Sequence, residues 1–383
     1  MREVIIVGGG PTGCLVAREL AKSHDVVVME EHGEIGSPLQ CMGLVSARVL
    51  DFISPGKRGE LIESLITHGK ITSPGGDEYI LDFDEPKAYV IDRVGFDRAL
   101  AEEAMDAGAQ FKLGSRIERI GSSKGLRVEL KDVVEKADLL IGADGPHSLV
   151  RRTFFPKSET EIEFIRCYGA ELDAKIASEE ECAHVFLGND VAPSFFAWTL
   201  PLRQGARVGL GVSGRKPYPY FRDLMDRFGD GITRRIGGEI PVGLLPSFSS
   251  GDVALVGDAC CQVKPISGGG LFPGLTGALL CSKSIIEGKL ESYRERWMKE
   301  MGKEISGSLR LRGLYKKLSD SDVREIFSLV KENDKIKSTL AKYGDLDYQY
   351  RSVTHVAKSL GPRDMLSLTR ALVKAFLRRQ NKG

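Results

Sequence analysis

Three glycines near the start of the chain have the spacing of a phosphate-binding turn. Gly8, Gly10 and Gly13 form the pattern GxGxxG. They come directly after the apolar strand pattern Glu3 to Val7, and a helical pattern follows them. Glycines at this spacing let backbone N–H groups approach a pyrophosphate at a helix N-terminus, whose partial positive charge favours the anion. The turn therefore predicts a dinucleotide site.

An acid lies where the ribose of such a dinucleotide would be. Glu30 follows Gly10 by 20 residues, at the end of the second predicted strand, and Glu31 comes next. A carboxylate at this position can accept hydrogen bonds from both ribose hydroxyls. The motif does not choose between NAD and FAD, so that choice depends on segments further along the chain.

Three such segments favour FAD. Asp144 and Asp258 each follow a predicted strand and lie beside a glycine, and the run IDRVGFDRAL contains Arg93 and Asp97. Together with GxGxxG, these segments resemble the flavoprotein monooxygenase and reductase superfamily that shares the p-hydroxybenzoate hydroxylase architecture. The resemblance implies that all four segments converge on one extended FAD.

The resemblance also implies roles for single residues. Asp258 would accept from ribityl hydroxyls, Arg93 would close over the ribityl and phosphate region, and Asp144 would lie near the phosphates. A helix starting near Gly268 would direct its N-terminal amides at the pyrimidine edge of the flavin and stabilise the anionic reduced form. The residues predicted to bind FAD are Gly8, Gly10, Pro11, Thr12, Gly13, Glu30, Glu31, Cys41, Gly43, Arg93, Asp144, Gly145, Gly257, Asp258, Pro265, Gly268, Gly269 and Gly270.

A second resemblance concerns the reaction. Pro38, Cys41 and Gly43 form the pattern PxxCxG, a hallmark of the geranylgeranyl reductase family, which saturates carbon–carbon double bonds of polyprenyl chains. The run Pro265 to Gly270 resembles the flavin loop of that family, and the likeness spans roughly residues 1 to 300. Three roles are open for Cys41: it donates a proton, it tunes the flavin, or it packs as a small apolar residue.

The run Phe196 to Pro201 resembles another motif of the same family, YxWxFP. Trp198 and Pro201 match, whereas Phe196 replaces the usual tyrosine and Leu200 the usual phenylalanine. The phenylalanine ring keeps an apolar wall but lacks the hydroxyl that could orient a headgroup or a water. The residues predicted to act in catalysis are Cys41, Phe196 and Trp198.

An isolated prenyl double bond has no carbonyl group to take up charge. Hydride from the flavin must therefore be matched by a proton, and the transition state gains tertiary-cation character. Such chemistry favours a dry pocket with aromatic walls, for which Phe196, Trp198 and Phe272 are candidates, while Phe195 is expected to pack in the core. The resemblance predicts an FAD-dependent reductase acting on a prenyl lipid.

Two other functions stay open at this stage. One is an FAD monooxygenase of an apolar or aromatic substrate, and the other is a flavoprotein that carries electrons or binds prenyl lipid without turnover. The choice of external electron donor among a nicotinamide, a deazaflavin and a ferredoxin also stays open, because the chain shows no second dinucleotide fingerprint that would select one.

The order of elements predicts an α/β fold with two discontinuous domains. A Rossmann-type, p-hydroxybenzoate hydroxylase-like FAD-binding domain would comprise residues 1–75, 90–160 and 245–290. An antiparallel-sheet substrate domain would comprise residues 76–89 and 161–244, and a helical C-terminal region residues 291–383.

Composition excludes several other classes of protein. The 383 residues are 42% hydrophobic and 28% charged, as in folded soluble chains, and the net charge of +1 offers no global attraction to nucleic acid. Seven cysteines without a CxxC pair, together with the absence of a signal-peptide pattern, predict a cytoplasmic protein. The six histidines form no metal-binding motif, so no metal site is expected.

The end of the chain is predicted to be a basic amphipathic helix. Residues 363–383 contain six positive charges and one negative charge, and their apolar side chains share one helical face. Two interpretations are open. The helix lies on the inner face of an anionic membrane through Arg363 to Lys382, or it docks on the protein itself.

Overall fold

The computed structural model describes residues 2–122, 125–131, 133–173, 180–229, 231–366 and 369–370. Within them the strands are β1 Glu3–Val7, β2 Asp25–Met29, β3 Leu44–Val45, β4 Ile62–Ile66, β5 His68–Thr72, β6 Glu78–Asp82, β7 Ala88–Ile91, β8 Gln110–Lys112, β9 Arg119–Gly121, β10 Leu126–Glu129, β11 Val134–Ala137, β12 Leu139–Gly142, β13 Glu163–Leu172, β14 Cys182–Leu187, β15 Phe196–Pro201, β16 Ala206–Ser213, β17 Ile232–Val242, β18 Ser249–Ser250 and β19 Val253–Leu255.

The α-helices complete the framework. They are α1 Pro11–Leu20, α2 Ala47–Leu50, α3 Pro55–Leu61, α4 Arg93–Asp106, α5 Leu149–Phe154, α6 Tyr218–Met225, α7 Leu271–Ile286, α8 Tyr293–Tyr315, α9 Asp320–Lys331, α10 Asp334–Tyr343 and α11 Gln349–Ser359.

The first sheet is mostly parallel and lies in the main core. Its strand order is β18-β19-β12-β1-β2-β8, and every pair except β18 with β19 is parallel. Strands β1 and β12 are almost continuously apolar and buried, as expected for parallel strands that helices cover on both faces. The carboxyl ends of β1, β12 and β19 lie at the same edge, so Gly8, Ala143 and Val256 begin neighbouring loops there.

The second sheet is mostly antiparallel. Its strand order is β17-β13-β16-β15-β14-β5-β6, and only β14 and β5 pair in parallel. The sequence assigned residues 1–75 to the FAD-binding domain, but β5 hydrogen-bonds within this sheet, between β14 and β6. The chain from His68 onward therefore belongs to this sheet. Residue 75 lies in the turn of the hairpin that β5 and β6 form, so a domain boundary there would divide the hairpin.

A small sheet has the strand order β3-β7-β4, and two of its strands are adjacent in sequence to predicted site motifs. Strand β3 follows the PxxCxG motif directly, and β7 ends just before Arg93. Their antiparallel pairing aligns Leu44 with Val90 and Val45 with Tyr89. The pairing brings two motifs together that are about 50 residues apart in the sequence.

The C-terminal helices dock on both sheets. Helix α8 buries Trp297, whose indole N–H donates to the carbonyl oxygen of Pro273 in the first turn of α7 at 3.0 Å. Glu304 of α8 accepts from the backbone N–H groups of Tyr350 and Arg351, at 2.6 and 3.1 Å, and so caps the N-terminus of α11. Helices α8 and α11 are thus part of the folded body.

Two side chains near the end of α8 hold the start of strand β15. Tyr315 donates to the carbonyl oxygen of Phe195 at 2.8 Å, and Arg312 donates to that of Ser194 at 3.3 Å. Arg312 is buried and also pairs with Glu163 at 2.7 Å. Burial raises the pKa of Glu163, but Arg312, Ser213 and Lys316 lower it more, to about 2. An ion pair therefore connects α8 to β13 beside the aromatic strand.

The predicted amphipathic helix Arg363 to Lys382 lies for the most part outside the described residues, and both interpretations of it stay predictions. Among the described residues, no helix has the length and apolar character needed to cross a bilayer.

Replacing Trp297 with Phe tests the contact between α8 and α7. The variant loses the hydrogen bond to Pro273 and part of a fully buried side chain, so we expect the free energy of unfolding to fall by about 1–3 kcal/mol. Guanidinium unfolding of the FAD-free protein measures the loss. Leu314→Ala on the exposed side of the same helix is the control, with an expected change within about 0.5 kcal/mol. Equal effects in both variants would contradict the assigned contact.

Candidate functional site

The glycine turn leaves open space above the N-terminus of α1. The helix begins at Pro11, and no side chain caps it. A Cβ at Gly13 would overlap the carbonyl oxygen of Gly8, whereas a Cβ at Gly10 would meet nothing within 4 Å. Gly13 thus permits the tight packing of helix on strand, and Gly10 faces a space that a bound group can occupy.

The acids after β2 are placed differently from each other. Glu30 is largely buried and accepts from the backbone N–H of Gly9 at 2.7 Å and of His32 at 2.9 Å. The His32 ring nitrogen Nδ1 also lies 2.6 Å from Oε1, which therefore has two partners, whereas Oε2 has one and can accept a further hydrogen bond from a ribose hydroxyl. Glu31 is exposed and pairs with Arg116 at 3.7 Å, so its predicted contact with FAD has no support from its position.

The PxxCxG motif and the Arg93 segment meet. Arg93 is buried at the start of α4 and donates to both carboxylate oxygens of Asp97, at 2.8 and 3.0 Å. Burial lowers the pKa of Arg93, but interactions with Asp97 and the Cys41 side chain outweigh it and raise the pKa overall. The Cys41 sulfur lies 3.4 Å from the backbone nitrogen of Gly43.

Asp144 lies in the loop after β12. One of its carboxylate oxygens accepts from the backbone N–H groups of Leu149 and Val150, at 2.6 and 3.1 Å, at the start of α5. The other oxygen is buried and has no partner in the protein. Burial raises the pKa of Asp144, although Ser148 and the backbone hydrogen bonds lower it in part. Gly145 follows with open space at its Cα.

Asp258 lies in the loop after β19, close to the glycine-rich loop. A Cβ at Gly270 would be 3.1 Å from its carboxylate, and the preceding Gly257 lies against the Thr12 side chain of α1. Burial raises the pKa of Asp258 to about 6, although Arg93 and Arg151 lower it in part. The loop after β19, the glycine-rich loop and the start of α1 therefore meet at Asp258.

The glycine-rich loop connects this edge to the second sheet. The predicted helix near Gly268 begins three residues later, at Leu271, because Gly268 adopts a φ of 74°, outside the helical range. A Cβ at Gly268 would be 2.6 Å from the Ile240 side chain and 3.2 Å from the Phe195 ring. The loop, which starts after the buried Pro265, therefore lies directly on the aromatic end of the sheet.

An aromatic surface continues from that contact. Phe195 and Phe196 stack with their ring centroids 4.2 Å apart, and Phe196 meets Trp198 edge to face at 5.6 Å. Phe195 is buried in the core as expected. The Trp198 indole nitrogen is buried without a partner in the protein. Phe272, a candidate for the same wall, instead packs edge to face on Tyr348 at 5.9 Å.

Sequence reasoning missed Met42, which lies within PxxCxG. Its terminal methyl group lies against Gly169 and Gly209, and the Trp198 ring lies against Gly209 as well. Gly169 in β13 and the alternating Gly209 and Gly211 in β16 were the available signal, because a glycine inside a strand often marks a close approach.

Two buried arginines were also missed as site residues. Arg151 donates to the carbonyl oxygens of Pro146 and Ala259, at 2.6 and 3.1 Å, and joins the loops after β12 and β19. Arg207 donates to those of Met42 and Ile91, both at 2.9 Å, and joins PxxCxG to the segment before Arg93. An arginine within the apolar strand Ala206–Ser213 was the signal for the second.

The site suits a long polar cofactor. Several buried polar atoms along it have no partner in the protein, and a bound FAD could supply one to each. They are Arg93 Nε, Asp144 Oδ1, Trp198 Nε1 and Ser267 Oγ. The described residues contain no group of His, Cys, Asp and Glu side chains that could hold a metal ion.

Comparison with known proteins identifies the family. Residues 1–212 match the family described as FAD binding domain. The chain is 32% identical over 375 residues to the digeranylgeranylglycerophospholipid reductase of Methanothrix thermoacetophila, with 88% of this chain and 93% of that protein covered. The chain belongs to the geranylgeranyl reductase family of FAD-dependent oxidoreductases.

Other members of the geranylgeranyl reductase family agree with this result. Digeranylgeranylglycerophospholipid reductase 2 of Methanopyrus kandleri is 28% identical over 365 residues, with 87% of this chain and 91% of that protein covered. A crystal structure of a geranylgeranyl bacteriochlorophyll reductase-like protein from Thermoplasma acidophilum has the same fold. Its TM-score is 0.77 at 21% identity, with 97% and 99% of the two chains covered. The predicted family, fold class and FAD cofactor are confirmed.

Gly10→Ala and Gly13→Ala should separate cofactor binding from folding. Alanine at residue 10 fits the backbone, which has φ −72°, and has free space, so we expect unchanged unfolding of the FAD-free protein but at least tenfold weaker FAD binding. Alanine at residue 13 overlaps the Gly8 carbonyl and should lower the free energy of unfolding by about 1–3 kcal/mol. Denaturant unfolding and calorimetric FAD titration distinguish the two. Normal FAD affinity in Gly10→Ala would place the cofactor elsewhere.

Asp258→Asn should stabilise the empty protein while weakening FAD binding. At pH 7 the folded FAD-free protein holds Asp258 ionised despite its raised pKa, at a cost of about 1–3 kcal/mol that the variant avoids. The gain should shrink as the pH falls through 6 and vanish below about 4, where Asp258 is protonated in both folded and unfolded chains. Unfolding at several pH values and FAD titration measure both effects. The control is the exposed Asp252→Asn, and tighter FAD binding by Asp258→Asn would contradict its role as an acceptor.

Proposed function

We propose that this protein is an FAD-dependent reductase that saturates the carbon–carbon double bonds of geranylgeranyl chains on a glycerophospholipid. The names of the relatives from Methanothrix and Methanopyrus support this substrate class. The structural observation that carries the proposal is the contact between the glycine-rich loop and the aromatic end of the second sheet. This contact supports the proposal because an apolar surface then lies beside the residues predicted to bind FAD.

That surface suits a prenyl chain. Phe196, Trp198 and the Met42 side chain form an apolar wall, and an isoprenoid gains free energy by leaving water to contact it. The faces of the aromatic rings can stabilise the positive charge that develops on a tertiary carbon during reduction. Both effects favour an alkene without an activating carbonyl group.

The residues around the wall would hold cofactor and substrate. Bound FAD supplies the hydride in its reduced form. Arg93, buried and paired with Asp97, has its Nε free to donate to an acceptor of the cofactor. Trp198 and Phe196 would orient the chain so that the double bond faces the glycine-rich loop, while the packed wall excludes water.

Cys41 is the candidate for delivering the proton. Its sulfur lies 3.4 Å from the backbone nitrogen of Gly43, and a Cβ at Gly43 would be 3.4 Å from the Arg93 side chain, so Cys41 lies beside the Arg93 segment. Cys167 lies in the same apolar cluster as Phe196 and Trp198, and burial raises its pKa to about 12, with smaller contributions from Cys41 and Glu239. Cys167 therefore stays protonated at neutral pH, and Cys41 is the thiol beside the Arg93 segment.

The electron donor and the location are further parts of this proposal. An external donor, which is a nicotinamide, a deazaflavin or a ferredoxin, would reduce the flavin. A cytoplasmic protein would take the lipid at the inner membrane face, and Arg363 to Lys382 are the proposed contact.

An anaerobic half-reaction tests the function. The FAD-loaded protein is reduced with dithionite, a geranylgeranyl glycerophospholipid is added, and flavin absorbance is followed together with product mass. We expect flavin reoxidation with a gain of two hydrogens per double bond. A flavin that stays reduced until oxygen is admitted, with an oxygen atom appearing in an added apolar substrate, would instead establish a monooxygenase.

Variants in the wall should affect lipid turnover more than cofactor binding. In the same anaerobic assay, Phe196→Ala should slow reoxidation by at least tenfold, because the lost ring contact is about 1.5–3 kcal/mol. The affinity for FAD should change less than twofold. Tyr218→Ala, an exposed aromatic residue of α6, is the matched control and should behave as wild type.

A further inference from the structure

The buried side chain of Lys264 packs against the glycine-rich loop. The backbone N–H of Lys264 donates to the carbonyl oxygen of Gly269 at 3.0 Å, and the N–H of Gly268 donates to that of Lys264 at 2.8 Å. The Lys264 side chain folds back beneath this turn. A Cβ at Gly269 would be 2.7 Å from Lys264 Cε and 3.1 Å from Nζ, so the ammonium group lies against the loop itself.

The C-terminal region supplies the counter-charge. Lys264 Nζ donates to Asp347 Oδ1 and to the carbonyl oxygen of Leu346, both at 2.9 Å, across 83 and 82 residues of sequence. The side chains of Lys264 and Asp347 are 7% and 1% exposed, so the pair is shielded from solvent. Charges in such surroundings interact over longer distances than charges at a surface.

Asp347 also binds the segment that follows PxxCxG. Its second carboxylate oxygen accepts from the hydroxyl of Ser46 at 2.5 Å and from Arg48 at 3.3 Å. Arg48 also forms a bidentate ion pair with Asp345, in which its two terminal nitrogens each lie 2.9 Å from a carboxylate oxygen. One carboxylate therefore joins the glycine-rich loop to the start of α2, which follows PxxCxG and strand β3.

Packing alone does not explain a buried ion pair. The loss of hydration for two buried charges generally offsets most of their attraction, and an apolar pair of similar size stabilises a fold about as well. The ammonium group, however, adds a positive charge beside a loop that would face the flavin. A positive potential there stabilises the reduced, anionic flavin relative to the oxidised form.

We propose that Lys264 and Asp347 are a positioning pair that holds Gly268 to Gly270 against the flavin and sets its reduction potential. Lys264 raises the potential, and Asp347 both orients Lys264 and limits its effect. The C-terminal helical region thereby takes part in the redox site through one side chain. The proposal depends on FAD binding and is independent of the prenyl substrate.

Reduction potentials of the FAD-loaded protein test this pair, with no lipid present. Removing the cation in Lys264→Gln should lower the flavin midpoint potential, and removing the anion in Asp347→Asn should raise it. We expect each change to be about tenfold in the redox equilibrium constant, which is about 30 mV for a two-electron couple. Shifts of opposite sign are not expected from two variants that merely loosen the fold.

Two further variants keep the test decisive. Lys264→Gln/Asp347→Asn removes both charges at once and should bring the equilibrium constant back to within twofold of wild type, even if one single variant folds poorly. Arg48→Gln is the matched control, because it removes an exposed cation from the same carboxylate without touching the loop. Its potential should stay within twofold of wild type. Single-variant shifts in the same direction, or an Arg48→Gln shift as large as that of Lys264→Gln, would overturn the proposal.

Discussion

The candidate site depends on the alignment of strands in the parallel sheet. Because β1, β12 and β19 run in the same direction in register, their carboxyl ends open at one edge, and the loops containing Gly10, Asp144 and Asp258 meet there. A shift in the register of one strand would move the loop that follows it away from the other two loops. The buried, nearly continuous apolar strands make such a shift costly.

Buried charged side chains then connect this edge to the remainder of the molecule. Arg151 joins two of the loops, Arg207 joins PxxCxG to the segment before Arg93, and Lys264 joins the glycine-rich loop to the C-terminal region. Each of these three cations donates to backbone carbonyl oxygens or carboxylates, so none of the three is an isolated buried charge. Arg93 is also buried and pairs with Asp97, but its Nε has no hydrogen-bond partner in the protein. The unpartnered atom marks the place where a ligand completes the hydrogen bonding.

Sequence reasoning predicted local features well and long-range contacts poorly. The glycine turn, the two acids after buried strands and the aromatic strand are each encoded within a few residues, and the structure brings them to one region. Three features depend on tertiary structure instead: strand pairing places β5 in the second sheet, the backbone angle of Gly268 sets the start of α7 at Leu271, and Phe272 contacts Tyr348. Arg207 and Met42 were missed because their partners lie far away in the sequence.

The sequence by itself determined the dinucleotide-binding turn and the α/β fold, since GxGxxG and the order of strands and helices are local patterns with a direct physical meaning, and its resemblance to known flavoproteins, through PxxCxG and the segments of Arg93, Asp144 and Asp258, indicated the family and FAD. The tertiary structure alone decided how the aromatic strand meets the glycine-rich loop, and that Lys264 pairs with Asp347. The physical reason is that burial and pairing depend on which distant segments pack together. An isolated lysine or aspartate in a sequence carries no record of its partner.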